Sequence, residues 1–223
     1  MLSRSHSRFA LGALAAYESA LYLDRLEDRK AGYLQARARS TALSRPLVIV
    51  GDPGGGVTRG YPCGDITIDL NGSSCPRSIA ADITKPVTQV PDNSAVVFVS
   101  CVFEYVSDAN AAYAECLRMA GGPQNLFVVR VQPWAYGTSV IYRGQRWAMH
   151  YGASGPYFTP VSGGQKLAVA VVLAALIYGS VKSDANGLPG VLPTPRPLPK
   201  LMSGFRLLQG PAIVRQARGL PVG

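Results

Sequence analysis

The chain predicts an α/β fold with a mostly parallel sheet covered by helices on both faces. Three observations carry the prediction. Apolar runs at 47–50 (LVIV), 95–100 (AVVFVS) and 125–129 (NLFVV) lack the alternation of a half-exposed strand and read as strands buried on both sides. Turn-rich or helical stretches separate them, as parallel pairing requires. Hydrophobic residues make up 48% of the 223 and charged residues only 16%, against about 25% in ordinary domains, so there is material for a core and apolar surface to spare.

Taken in order, residues 1–46 form a helical extension. Leu14, Tyr17 and Leu21 recur at helical spacing, Ser7 is a candidate cap, and Glu18 within the apolar run argues against a signal peptide. Pro46 ends the helix, and an α/β domain spans 47–160. Its strands are expected at 47–50, 65–70 (DITIDL), 81–83 (ADI), 95–106 and 125–134. A helix over 108–120 has Ser107 or Asp108 as its cap and Gly121-Gly122 as its stop. VIYRGQRWAM at 140–149 reads as a hairpin turning at Arg143-Gly144-Gln145, which would add an antiparallel edge to the sheet.

Residues 161–183 form an apolar helix. Its charge-free run at 167–181 spans roughly 22 Å, short of the ~30 Å hydrocarbon core, and reads either as a helix of the core or as a thin membrane segment with flanking lysines reaching the headgroups. Residues 184–223 are a Pro-rich basic tail, with five prolines at 188–201 (LPGVLPTPRPLPKL), extended rather than helical.

Charge divides along the same lines. Residues 1–46 carry eight Lys/Arg and four Asp/Glu, residues 47–140 five and eight, and residues 141–223 nine and one. A mildly acidic body with basic flanks points to an anionic surface, lipid headgroups or nucleic acid, with plain solubility as the alternative; a membrane surface or bilayer is the expected partner, with protein partners through the tail. Cys101 and Cys116 fall at apolar positions and read as core residues. Cys63 and Cys75 bracket a short segment; they are expected as free thiols in a reducing compartment, with pairing as the alternative. No metal site is expected, because there is no C-x-x-C pair and only two histidines.

The block VPDNSAVVFVSCVFEYVSDANAAYAECLRMAGG (90–122) followed by NLFVVRV, with the glycine turn after the first strand, carries a resemblance. Residues 47–134 resemble the class I (Rossmann-like) S-adenosylmethionine-dependent methyltransferase family. The resemblance implies S-adenosylmethionine as cofactor. Gly51, Asp52 and Gly54 would form the loop that lets the backbone approach it. Asp69 would accept from the ribose hydroxyls and Asp82 from the adenine amino group, with Ile83 against the ring. Ser100 to Phe103 would line the methionine end, and Glu104 matches a frequent family acid.

The chain also departs from the family pattern. Ile49 stands where an acid is usual, Pro53 interrupts the glycine turn and removes a donor, Ala95-Val96 replaces an aromatic-acid pair, and Tyr105 replaces a frequent histidine. The Pro-Pro-aromatic motif of amino-group DNA methyltransferases is missing, and Pro62-Cys63 is misplaced for a cytosine C5 nucleophile, so no sequence-specific nucleic acid is expected. His150 reads as a surface residue at a hairpin end. Two readings follow: a membrane-associated methyltransferase of unknown acceptor, or a non-catalytic structural or scaffold protein of a virion or other large assembly that reuses the fold.

Overall fold

The computed structural model describes residues 4–51, 61–131, 144–153 and 155–181. The predicted Asp52, Gly54 and the basic tail lie outside them. The element order is α1 (Arg4–Leu43), β1 (Leu47–Val50), β2 (Ile66–Asp69), β3 (Ser78–Ala80), β4 (Val96–Ser100), α2 (Ala109–Ala120), β5 (Leu126–Val129), β6 (Trp147–Gly152), β7 (Gly155–Pro160) and α3 (Gly163–Val181).

Strands β1 to β5 make one sheet in the order β3-β2-β1-β4-β5, and every pairing is parallel. The mostly parallel, Rossmann-like α/β expectation is met. The apolar runs have the predicted cause: every residue of β1, β4 and β5 is buried. Alternate side chains go to opposite faces. Leu47, Ile49, Val96, Phe98, Phe127 and Val129 meet Tyr33 and Ala36 of α1. Val48, Val50, Val97, Val99, Leu126 and Val128 meet Ala112, Cys116 and Met119 of α2 and Met149 of β6.

Helix α1 is bound to the sheet by more than apolar contact. Tyr33 lies edge-on to Phe98 with ring centroids 6.1 Å apart, and Tyr61 packs on the same ring at 5.0 Å. Arg37 Nη1 donates to both carboxylate oxygens of Asp65, at 2.8 and 2.9 Å, while Leu47 N donates to Asp65 Oδ2 at 2.7 Å. Asp65 thereby joins α1, β1 and the approach to β2.

Helix α2 has the predicted ends. Asp108 Oδ1 accepts from Ala111 N at 3.0 Å, and Gly121 closes the helix in the left-handed conformation at φ 67°. Its Glu115 and Arg118 hold the loop that leads into β4. Val87 N donates to Glu115 Oε1 at 2.8 Å, Arg118 Nη2 donates to the carbonyls of Val87 and Val90, and Arg118 also pairs with Asp92.

Five expectations are corrected. First, the hairpin is Trp147–Gly152 with Gly155–Pro160, and it forms a separate two-stranded sheet rather than an edge of the main one. Val140 to Arg143 lie outside the described residues, and Trp147 is drawn onto the domain because its Nε1 donates to the carbonyl of Val106. Second, Ser7 lies inside α1 rather than capping it; the continuation of α1 through the charged 24–30 segment is as expected. Third, β3 is Ser78–Ala80, so 81–83 follow the strand instead of forming it. Fourth, Cys63 and Cys75 are joined as a disulfide with Cα atoms 5.7 Å apart, instead of being free thiols. Fifth, among the described residues no helix is long and apolar enough to cross a membrane. The apolar run is neither a span nor a core helix: α3 lies against α1 and leaves Leu167, Val171, Val172, Ile177 and Tyr178 exposed.

Candidate functional site

The strand order places a reversal at the centre of the sheet. The chain moves outward from β1 through β2 to β3, then returns to the other side of β1 as β4. Ligands of open parallel sheets bind beyond the carboxyl ends of strands at such a reversal. A cleft of about 470 Å³ lies there, lined by residues that include Gly51, Asp69, Asp82, Ile83, Val102 and Arg146. Its size suits a small-molecule ligand.

Each wall has a local cause. Gly51 follows β1 with φ +94°, a conformation that side chains resist, and its N–H donates to the Ile68 carbonyl at 2.8 Å. A Cβ here would stand 2.7 Å from Val102 Cγ2, so the close approach of β1 and β4 at the cleft floor needs glycine.

Asp69 ends β2. Its Oδ1 accepts from Asn71 N at 3.0 Å, turning the chain, and its carbonyl accepts from Ala81 N at 3.0 Å. That second bond draws the end of β3 against the end of β2, which puts Asp82 on the same rim as Asp69. Asp82 Oδ1 accepts from the N–H of Thr84 at 3.0 Å and from its hydroxyl at 2.8 Å. These bonds hold its carboxyl below the usual aspartate range, with Lys85 adding to the effect against a little burial. Ile83 follows, 5% exposed, with its side chain both in the core and at the cleft.

The β4 side is built differently from the expectation. Ser100 is 3% exposed and lies behind the lining, and its Oγ has no hydrogen-bond partner among the described residues. Cys101 and Val102 form the wall. Phe103 turns into the core against Tyr113 and Phe158. Cys101 has φ +53°, unusual for a residue with a side chain, and so is a bend at the cleft rather than a plain core residue. Burial pushes its thiol pKa up and Glu104 adds to this, while Arg29 and Arg25 of α1 oppose it; the thiol form is favoured.

Glu104 is 1% exposed, not a solvated helix start. Burial raises its carboxyl to about 7, although Val131 N donates to Oε1 at 2.6 Å. Its carbonyl accepts from Arg146 N at 2.7 Å and Trp147 N at 3.1 Å. Glu104 thus ties the ends of β4 and β5 to the segment that carries Arg146 into the cleft.

Sequence reasoning placed Cys101 and Val102 in the lining, as part of 100–103, and missed Arg146 and Tyr105. Arg146 sits just before an apolar strand, a position with no motif to mark it. His150 is on β6, bonded to Thr159 Oγ1 at 2.9 Å and stacked on Tyr157, and is not among the residues lining the cleft. The cleft therefore has two carboxylates at one rim, an arginine in its wall and apolar side chains between them. That distribution suits a ligand with hydroxyl or amino groups at one end and an anionic group at the other.

Comparison with protein-family models, with curated proteins and with solved structures gives no match for this chain.

Proposed function

We propose that the cleft binds the adenosine portion of S-adenosylmethionine and that the chain is a membrane-associated, methyltransferase-like protein. One observation supports this above the others: Asp69 and Asp82, thirteen residues apart in sequence, share one cleft with the left-handed Gly51 at the reversal of a parallel sheet. Asp69 is the acceptor for ribose hydroxyls, Asp82 for the adenine amino group, and Ile83 the apolar flank of the ring. Methyl transfer needs chiefly alignment of the acceptor with the sulfonium methyl. Asp52 and Gly54 remain part of the proposed loop.

Calorimetric titration with S-adenosylmethionine and its demethylated product tests the reading. Micromolar binding that weakens at least tenfold in Asp69→Ala is the expected result. Absence of heat at millimolar ligand would reject it.

The scaffold reading has its own support. Asp69 and Asp82 each already accept hydrogen bonds within their own loops, so both carboxylates have a structural role without any ligand. On this reading the domain is a non-catalytic part of a virion or other large assembly, and its partners are reached through the basic Pro-rich tail.

A further inference from the structure

The apolar helix α3 and the amino-terminal part of α1 stand at the same end of the molecule as the cleft. Three observations fix this. Helix α1 ends beside the start of β1 at the amino edge of the sheet, while its Arg29 interacts with Cys101 at the carboxyl end of β4. Tyr17 packs beside Val131, beyond the end of β5, and is the first α1 residue to reach a core cluster. The thirteen residues before it, about 20 Å of helix, therefore project past the carboxyl edge. Helix α3, in turn, starts at the cleft: Val161 N donates to the carbonyl of Arg146, a lining residue, two residues before α3 begins.

Helix α3 has one packed side. Val169, Ala170, Leu173 and Leu176 are partly covered at three- and four-residue spacing, and α1 is its chief neighbour. The rest includes exposed apolar side chains: Leu167 is 66% exposed, Val171 58% and Val172 57%, and Phe9 of α1 is 78% exposed. No charge interrupts 167–181, while Lys166 and Lys182 stand at its ends and residues 141–223 hold nine Lys/Arg against one acid. Apolar side chains beside a cationic excess complement a bilayer with anionic headgroups.

We infer that this helical pair docks on an anionic bilayer surface with the carboxyl edge of the sheet toward the lipid, so that the cleft takes an acceptor presented by the membrane. The acceptor class rests on the ligand reading of the cleft; the docking does not. Without crossing, α3 inserts its exposed side among the acyl chains, Lys166 meets the headgroups, and Ser107 and Arg146 at the cleft face the lipid.

Flotation of the full chain with vesicles of phosphatidylcholine and phosphatidylglycerol is the first arm of the test. Binding should fall about a hundredfold in the double variant Val171→Asp, Val172→Asp, two exposed positions whose replacement leaves the sheet intact. Circular dichroism and S-adenosylhomocysteine titration of the same variant should be unchanged. Photo-crosslinking lipids should label α3 and the segments around Ser107 and Arg146, and should spare Ala42 and Asp92 at the opposite edge. Absence of flotation overturns docking. So does a variant-sensitive dimer in sedimentation without vesicles, which would make a second copy the occupant. Labelling at Ala42 overturns the orientation. Failed nucleoside binding with intact flotation and rim labelling overturns the cofactor reading and the acceptor class, while the docking geometry stands.

Discussion

At the scale of single residues, Glu104 gives the sharpest pH signature. An ordinary carboxyl near 4.5 is raised to about 7 by burial. The folded chain therefore holds a proton that the unfolded chain releases between those values. Below about 4.5 both states are protonated and Glu104 costs nothing. As pH rises to about 7 the stability falls, and above it the full penalty, about 3 kcal/mol, is present. Glu104→Gln keeps an acceptor for Val131 N without the charge. It should unfold at the same temperature as the parent at pH 4.5 and at a higher one at pH 8, and a variant that is no more stable at pH 8 would refute the assignment. Gly51→Ala acts on the cleft floor. A methyl 2.7 Å from Val102 Cγ2, on a backbone at φ +94°, should cost about 1–3 kcal/mol in urea unfolding and weaken ligand binding by at least tenfold.

At the scale of elements, among the described residues the half of the sheet with β2 and β3 is held by cross-links. The disulfide between Cys63 and Cys75, twelve residues apart, bridges the approaches to those strands. Loop-closure entropy gives such a bridge about 3 kcal/mol. Replacing both cysteines with alanine should lower the melting temperature accordingly, and a reducing agent should reproduce the loss in the parent but not in the variant. On the other side of the cleft, Arg118 gathers Glu115, Asp92 and two loop carbonyls. Arg118→Ala leaves the buried Glu115 carboxylate with one donor from Val87. It should cost about 3 kcal/mol by chemical denaturation, and an unchanged midpoint would argue against that coupling. The elements legible beforehand were those with local rules behind them. Fully apolar runs marked β1, β4 and β5, and Asp108 and Gly121 marked the ends of α2. The hairpin was misplaced because its register depends on Trp147 reaching Val106 and on Arg146 reaching Glu104, contacts that no local pattern encodes. The disulfide was undervalued for the same reason: spacing alone does not bring two Cα atoms to 5.7 Å.

At the scale of the whole molecule, α1 and the sheet share one apolar cluster across residue 46. Tyr33 and Ala36 close one face of the sheet, so a chain begun at Leu47 would leave Ile49 and Phe98 bare. It should be insoluble, whereas a chain begun at Asp24 keeps Tyr33 and Ala36 and should fold; a soluble, folded 47–223 chain would contradict this. The convergence of Asp69 and Asp82 was legible because parallel strands put their ends at one edge. The arginine in the wall and the strained Cys101 were not, since both depend on how separate segments are stacked. One consequence comes from the unbroken length of α1. Its forty residues are at once a wall of the core and the stem of a projecting arm. From Arg29, beside Cys101, to Arg4 is about 38 Å of stiff rod, so a pivot of about 5° at the core sweeps the tip by ~3 Å. Leverage of that kind would tie whatever grips the far end of α1 to the bend beside the cleft.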